Sequence, residues 1–266
     1  MSHPVVPDQA GPDGERVIGI IDLGSNSLRL MLVRILPDGS HTVLNQVKNM
    51  VRLGEGAFET GHLREESMAR TINVLRGMAE MCGVYGASEV IAIATAAVRD
   101  AANGPDFMRR VKEKTGIDFR VVSGREEARL IYLGVSSGLA HTESLRLFID
   151  IGGGSSEVAV GRGGDLCWSH SYPMGAVRFT RGEVMSHQAV AHLENRCYQE
   201  WLPMQVQPDL LIGVGGTLTT LAAMDLQLAV YDAEKVEGHR VSYDALCGHI
   251  ERLQAMTPEE RRHVPG

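Results

Sequence analysis

The sequence predicts an α/β protein made of two similar lobes, and three observations support this fold class. Short apolar strand patterns alternate with helix patterns along most of the chain. The chain also carries two copies of a strand that ends in an aspartate followed by small residues. Its 266 residues are enough for two lobes of ordinary size. We expect a flexible lead-in over residues 1–16, a first lobe over 17–130 and a second lobe over 131–266.

The composition is typical of a soluble globular protein, with 44% hydrophobic and 22% charged residues. No apolar run is long enough to span a bilayer, and the lead-in lacks the apolar core of a secretion signal. The 4 cysteines lie far apart, which disfavours a zinc or redox motif and fits a reducing cytoplasm. The net charge of −7 argues against non-specific nucleic-acid binding. We therefore expect a cytoplasmic protein with neither a membrane nor a nucleic-acid partner.

The first lobe begins with a predicted meander of three strands. An apolar strand at 17–21 ends at Asp22, and strand patterns at 28–36 and 42–47 are separated by a turn signal around Gly39. A helix, a buried strand, a polar helix and a further strand are then predicted at 63–82, 90–94, 105–115 and 119–122.

A second helix start follows directly after the last of these strands. Ser123 is a predicted N-cap that Glu126 completes as a capping box, and the helix runs to about Gly134. The side chains of Glu126 and Glu127 point about 100° apart on a helix, so one of them is expected to enter a cleft. If Glu126 caps the helix, Glu127 is free to accept a proton. Alternatively, both are ordinary acids of a first helical turn, favoured by the helix dipole.

The second lobe begins again with a strand, at 147–151, which is followed by strand patterns at 157–160 and 166–172. Helix patterns at 186–202 and 243–256 enclose a strand at 210–214. A fresh helix start at Thr257 lies only a few residues before Gly266.

An internal repeat relates the two lobes. The run D-L-G-S-N-S at residues 22–27 is matched by D-I-G-G-G-S at 150–155, which begins 150 − 22 = 128 residues later. Glycine and serine let backbone N–H groups approach an anion closely, and an aspartate at each strand end can bind Mg²⁺. Two such loops facing each other would clamp a phosphate chain. The alternative is a chance similarity between two short glycine-bearing segments.

A third glycine-bearing loop, G-V-G-G-T at residues 213–217, lies between an apolar strand and an apolar helix. It is either an anion site at a helix N-terminus or a tight packing turn. Other catalytic signatures are missing from the sequence. No P-loop and no H-E-x-x-H occurs, and the G-x-S-x-G letters at 134–138 follow a helix pattern where a serine hydrolase would place a strand.

Together these segments resemble the signature set of the exopolyphosphatase / guanosine pentaphosphate phosphohydrolase (Ppx/GppA) family. The resemblance rests on the three glycine loops, on S-G-R-E-E-A-R-L at 123–130, on T-A-A-V-R at 95–99 and on M-G-A-V-R at 174–178, in this order. It covers nearly the whole chain from about Val17 onward. It implies an actin-like fold, with two ribonuclease H-like lobes and an active cleft between them. The second lobe of the family usually continues beyond a segment such as the helix start at Thr257, so the resemblance implies that this lobe is truncated at its C-terminus.

The resemblance also implies roles for individual residues. Glu127 is the general base that activates a water molecule, and Mg²⁺ or another divalent cation is the cofactor, held by Asp22, Asp150 and Glu157. The predicted phosphate ligands are Gly24, Ser25, Asn26, Ser27, Arg99, Gly152, Gly153, Gly154, Ser155, Ser156, Gly215, Gly216 and Thr217.

The substrate expected from the resemblance is inorganic polyphosphate or the 5′ γ-phosphate of guanosine pentaphosphate, and the residues do not decide between them. A homodimer is expected from the resemblance alone. Two competing functions remain open from the sequence. One is an ATP-using kinase or ATPase of the same superfamily, and the other is a guanosine tetraphosphate sensor without turnover.

Overall fold

The computed structural model describes residues 14–139, 143–179, 195 and 207–265, and these residues form two β-sheets with helices packed against them. The strands of the first sheet have the order β3-β2-β1-β4-β5. They are β1 (Arg16–Leu23), β2 (Leu28–Ile35), β3 (His41–Asn49), β4 (Ala87–Ala94) and β5 (Phe119–Val121). The second sheet has the order β8-β7-β6-β9. Its strands are β6 (Leu145–Ile151), β7 (Ser156–Arg162), β8 (Asp165–Tyr172) and β9 (Leu210–Val214).

The same topology is repeated in the two sheets. The strands β1, β2 and β3 form an antiparallel meander, and β4 pairs in parallel with the other side of β1. In the second sheet, β6, β7 and β8 form the meander and β9 pairs in parallel with β6. A central strand with a meander on one side and a parallel strand on the other is the arrangement of a ribonuclease H-like lobe. The prediction of two similar α/β lobes is therefore confirmed.

Five helices accompany the first sheet and the crossing to the second. They are α1 (Ala57–Thr60), α2 (Glu65–Val84), α3 (Ala96–Asp100), α4 (Gly104–Thr115) and α5 (Gly124–Ser137). The predicted apolar stripe of α2 is buried in the first core, where Met68, Ile72 and Leu75 are at most 5% exposed. The end of α4 is also as predicted, since Gly116 adopts a φ of 73° and its N–H binds the carbonyl of Lys112.

Helix α5 packs against β7 and β8 of the second sheet. Its Tyr132 is completely buried, lies edge-on to Phe148 with ring centroids 5.1 Å apart, and donates a hydrogen bond to the carbonyl of Asp165. The helix thus continues past the predicted division between residues 130 and 131, and that division stays a prediction.

The C-terminal part of the second lobe is helical. It comprises α6 (Ala176–Phe179), α7 (Gly215–Asp225), α8 (Ala233–Val236), α9 (Tyr243–Ala255) and α10 (Pro258–Arg261). The Asp225 carboxylate binds the imidazoles of His239 and His249, which ties α9 to the end of α7. The helix predicted at 186–202 lies outside the described residues, as does most of the lead-in. Among the helices that are described, none has the length and apolar content to cross a membrane.

Two local predictions were wrong. Strand β4 is not buried throughout, because β5 pairs only with its last three residues and leaves Val90 and Ile91 exposed to 37% and 43%. The predicted capping box at α5 forms only in part. Ser123 Oγ accepts the N–H of Glu126 at 3.2 Å, but the Glu126 carboxylate pairs with Arg120. Glu126 therefore faces away from Glu127.

Candidate active site

The carboxyl ends of the central strands place the predicted site residues along one cleft. Asp22 lies near the end of β1, Arg99 follows β4 within α3, and Glu127 follows β5 in the first turn of α5. In the second lobe, Asp150 lies near the end of β6 and Gly215 directly follows β9. In open α/β sheets this edge is where ligands bind, because loops from several strands meet there.

The two hairpin tips are closed by equivalent backbone hydrogen bonds. The N–H of Gly24 donates to the carbonyl of Ser27 at 3.0 Å, and the N–H of Gly152 donates to the carbonyl of Ser155 at 3.0 Å. Each pair is related by the sequence offset of 128 found in the repeat (152 − 24 and 155 − 27). The repeat is therefore a structural one, which disfavours a chance similarity.

The tips pack directly against each other across the cleft. A Cβ built on Gly153 would lie 3.2 Å from Asn26 Cβ, and one built on Gly154 would overlap Ser25 Oγ. Only glycine allows such an approach of the two backbones. The hydroxyl of Ser25 is buried and has no hydrogen-bond partner within the described part of the chain. A buried polar atom of this kind needs a partner, and an oxygen-rich ligand between the tips would supply one.

Arg178 links the second tip to the first lobe. Arg178 Nε donates to the carbonyl of Gly154 at 2.6 Å, its guanidinium carbon lies 3.9 Å from the ring centroid of Phe58, and a further nitrogen pairs with Asp100. Arg178 thus joins the second tip to two elements of the first lobe. No pattern in the sequence indicated this role for Phe58 or Asp100, because both contacts link residues far apart along the chain.

The third glycine loop lies against the second tip. Gly215 has a φ of 78° and approaches Asp150 so closely that a Cβ would overlap its carboxylate. Thr217 Oγ1 donates to the carbonyl of Ile151 at 2.8 Å, while Gly216 has open space where a Cβ would stand. The loop is therefore both a tight turn and part of the cleft wall.

Glu127 is held by Arg99, whose Nη1 donates to Glu127 Oε2 at 2.9 Å. Arg99 also donates a hydrogen bond to the carbonyl of Val122, and its Nε lies 3.4 Å from Asp100 Oδ1. Burial raises the pKa of Glu127, Arg99 opposes this, and the charges of Asp22 and Asp150 raise the pKa further. The arrangement provides a carboxylate that is oriented, half-buried and more basic than usual.

The pKa values of the other three acids of the cleft are also raised. Burial raises the pKa of Asp22 and of Asp150, and the positive charge of Arg29 partly offsets it in both. Burial and then the charge of Glu127 raise the pKa of Glu157 to about 8, although Ser171 Oγ donates a hydrogen bond to Glu157 at 2.8 Å. Four neighbouring carboxyl groups whose pKa values are all raised mark a functional cleft.

Arg29 and Ser171 are site residues that the sequence analysis missed. Both could have been found from strand register once the hairpins were predicted, since Arg29 is paired with Asp22 and Ser171 with Glu157.

No group of three or more His, Cys, Asp or Glu residues among those described is placed to hold a metal ion. Mg²⁺ usually binds through one or two carboxylates together with phosphate oxygens, and keeps several waters. The carboxylates of Asp22, Asp150 and Glu157 offer oxygen ligands, and a cation between them would relieve their mutual repulsion. Such a site fits a cation that binds together with a phosphate chain. Mg²⁺ therefore stays a proposal.

Comparison with known proteins decides the family. The family model described as the Ppx/GppA phosphatase family matches residues 32–266. The chain belongs to this family. As a Ppx/GppA member it is a phosphohydrolase, and the competing kinase or ATPase function is not favoured. Among curated relatives, "Exopolyphosphatase 1" of Mycobacterium tuberculosis is 29% identical over 264 residues, which cover 94% of this chain and 75% of the relative.

Solved structures of the family support the same assignment. A Ppx/GppA member from Aquifex aeolicus is 30% identical with a TM-score of 0.77, covering 93% of this chain and 81% of that one. An exopolyphosphatase from Cytophaga hutchinsonii is 28% identical with a TM-score of 0.81, covering 94% of this chain and 83% of that one. The Ppx/GppA family, expected from the sequence, is thereby confirmed.

Proposed function

We propose that this Ppx/GppA member releases the terminal phosphate of inorganic polyphosphate by attack of a water molecule that Glu127 deprotonates. The observation that carries the proposal is the half-buried Glu127, held by Arg99 at 2.9 Å beside two glycine-rich tips that face each other. The named function of the curated relative, an exopolyphosphatase, points to the same substrate.

The hydrolytic step needs one proton acceptor. The water oxygen forms a bond to the terminal phosphorus, the bond to the bridging oxygen breaks, and the shortened chain leaves with that oxygen. The proton of the water passes to Glu127, whose raised pKa makes it a better acceptor than an ordinary carboxylate. Arg99 opposes the rise in the pKa of Glu127, and its hydrogen bond fixes the direction of the carboxylate.

Positioning is the larger part of catalysis in phosphoryl transfer. Two groups at the tips are suited to bind phosphate oxygens: the backbone N–H groups of Gly153 and Gly154, and the Ser25 hydroxyl, which has no partner among the described residues. The first turn of α7, beginning at Gly215, adds a helix N-terminus beside Asp150. These groups would hold the terminal phosphate while its chain points away from Glu127.

A divalent cation, expected to be Mg²⁺, would be held by Asp22, Asp150 and Glu157 together with phosphate oxygens. When bound, it supplies positive charge that offsets the charge of the phosphates. Ser171 orients the Glu157 carboxylate for this role through its 2.8 Å hydrogen bond.

Guanosine pentaphosphate is a second proposed substrate, since its 5′ end presents the same terminal anhydride. A cytoplasmic location and a homodimer also stay predictions. Comparing phosphate release from medium-chain polyphosphate and from guanosine pentaphosphate, each with Mg²⁺, would rank the two substrates. Tight binding of guanosine tetraphosphate without phosphate release from either substrate, under any metal, would instead favour the sensor function.

The test of the base is Glu127→Gln, with Glu126→Gln as its matched control. Loss of the proton acceptor should lower kcat by about 10²–10⁴-fold, while polyphosphate binding is kept because the tips are untouched. Glu126 points in a different direction, toward Arg120 of β5, so its variant should retain activity. Phosphate release and equilibrium binding of polyphosphate would be measured for both. Activity kept in Glu127→Gln would refute the role of this residue.

A further inference from the structure

A cavity of about 640 Å³ opens beside the catalytic carboxylates. It lies between the start of α5 and strand β8, and its wall includes Arg99, Arg125, Trp168, His170 and Ser171. Two of these residues also touch the catalytic acids, since Arg99 binds Glu127 and Ser171 binds Glu157. The cavity is therefore separated from the base by a single layer of side chains.

The geometry of phosphoryl transfer assigns a side of the cleft to each product. The attacking water and the leaving oxygen lie roughly in line on opposite faces of the transferred phosphate. The water must be near Glu127, so the shortened chain lies on the far face and blocks that exit. The released phosphate is left on the face of Glu127, which is the side on which the cavity opens.

The charges of the cavity suit an inorganic anion. Asp100 contributes the negative charge of the wall, and it is already paired with Arg99 and with Arg178. Arg125 is exposed and forms no ion pair with any described residue, so its charge is available to a ligand. Trp168 stacks on His170 with ring planes 13° apart and gives the wall a fixed surface.

We infer that this cavity receives the released inorganic phosphate and that Arg125 binds it there, so that product leaves through a different opening from the one the chain occupies. The inference rests on the proposed hydrolysis of polyphosphate. It assigns Arg125 a place in product release, with no part in the bond-breaking step.

The test compares Arg125→Ala with Arg129→Ala in the full chain. Arg129 is also exposed and lies one turn further along α5, but it is not part of the cavity wall. Inhibition of polyphosphate hydrolysis by added inorganic phosphate would be measured, together with calorimetric titration of inorganic phosphate. Losing one charge-assisted hydrogen bond should weaken phosphate binding about tenfold in Arg125→Ala. The KM for polyphosphate should stay within about twofold, and Arg129→Ala should resemble the parent protein.

Three results would overturn the inference. Phosphate binding could be unchanged in Arg125→Ala, or weakened equally in Arg129→Ala. The KM for polyphosphate could instead rise by the same factor as the phosphate constant, which would make the cavity a site for the substrate chain. A parent protein that hydrolyses no polyphosphate would refute the proposed function, and the calorimetric titration would still decide whether the cavity binds phosphate.

Discussion

Replacing Gly154 by alanine tests whether contact between the two tips sets the active geometry. A Cβ at this position would overlap Ser25 Oγ and would lie 2.5 Å from Phe58 Cζ and 2.9 Å from Ala96 Cβ. Carbon atoms pack at about 3.5–4.0 Å, so the tips must separate by about 1 Å. All three obstructing groups belong to the first lobe, and the change should therefore widen the cleft.

We expect Gly154→Ala to lower the activity strongly and the stability moderately. A displacement of about 1 Å at a reacting centre can lower the rate about 10²-fold. Overpacking of this kind costs about 1–3 kcal/mol in the free energy of unfolding. For a chain of this size the melting temperature should fall by roughly 2–4 °C for each kcal/mol.

The assay is polyphosphate hydrolysis with a parallel thermal melt, and the control is Gly77→Ala. Gly77 lies in α2 with open space around its missing Cβ, so alanine there should stabilise the helix by roughly 0.5–1 kcal/mol and leave activity unchanged. The reasoning fails if Gly154→Ala keeps kcat/KM within about twofold of the parent, or if both variants lose activity to the same extent.

Two further predictions concern the buried acids. Arg99→Ala removes the group that lowers the pKa of Glu127, so the acidic limb of the pH profile of kcat/KM should move to higher pH; a limb that stays in place would mean that Glu127 does not set it. Glu157 has a pKa raised from 4.5 to about 8 in the folded protein, so its contribution to stability is fully present below 4.5 and is lost as the pH rises through about 8. Thermal melts without divalent cations should show this loss, and Glu157→Gln should flatten it; equal slopes for both proteins would contradict the prediction.

The local order of the cleft could be predicted from the sequence because each part carries a short-range signal. Strand β1 is an apolar run that ends at Asp22, and the start of α5 has its cap in Ser123, which accepts the N–H of Glu126. The separation of the two adjacent glutamates also follows from helix geometry, and the structure confirms it, since Glu127 binds Arg99 while Glu126 binds Arg120.

What could not be predicted depends on distant parts of the chain. Arg178 binds Asp100 across 78 residues, and its stacking on Phe58 needs both lobes to be in place. The exposure of Val90 depends on the length of β5, a neighbouring strand whose end no local pattern determines closely. Such contacts depend on tertiary packing, which is determined by the whole chain and cannot be read from a local segment of the sequence.

The two repeated hairpins differ in the residue that lies opposite each aspartate, and this difference bears on the orientation of a bound phosphate chain. Arg29 pairs with Asp22 in the first hairpin, and the position 128 residues later, opposite Asp150, is Glu157. The backbone is thus nearly the same on the two sides of the cleft, whereas a guanidinium occupies this position on one side and a carboxyl group on the other. A clamp with identical halves would bind a phosphate chain equally well in either orientation. A guanidinium at this position on one side and a carboxyl group on the other make the two orientations of a linear polyanion unequal.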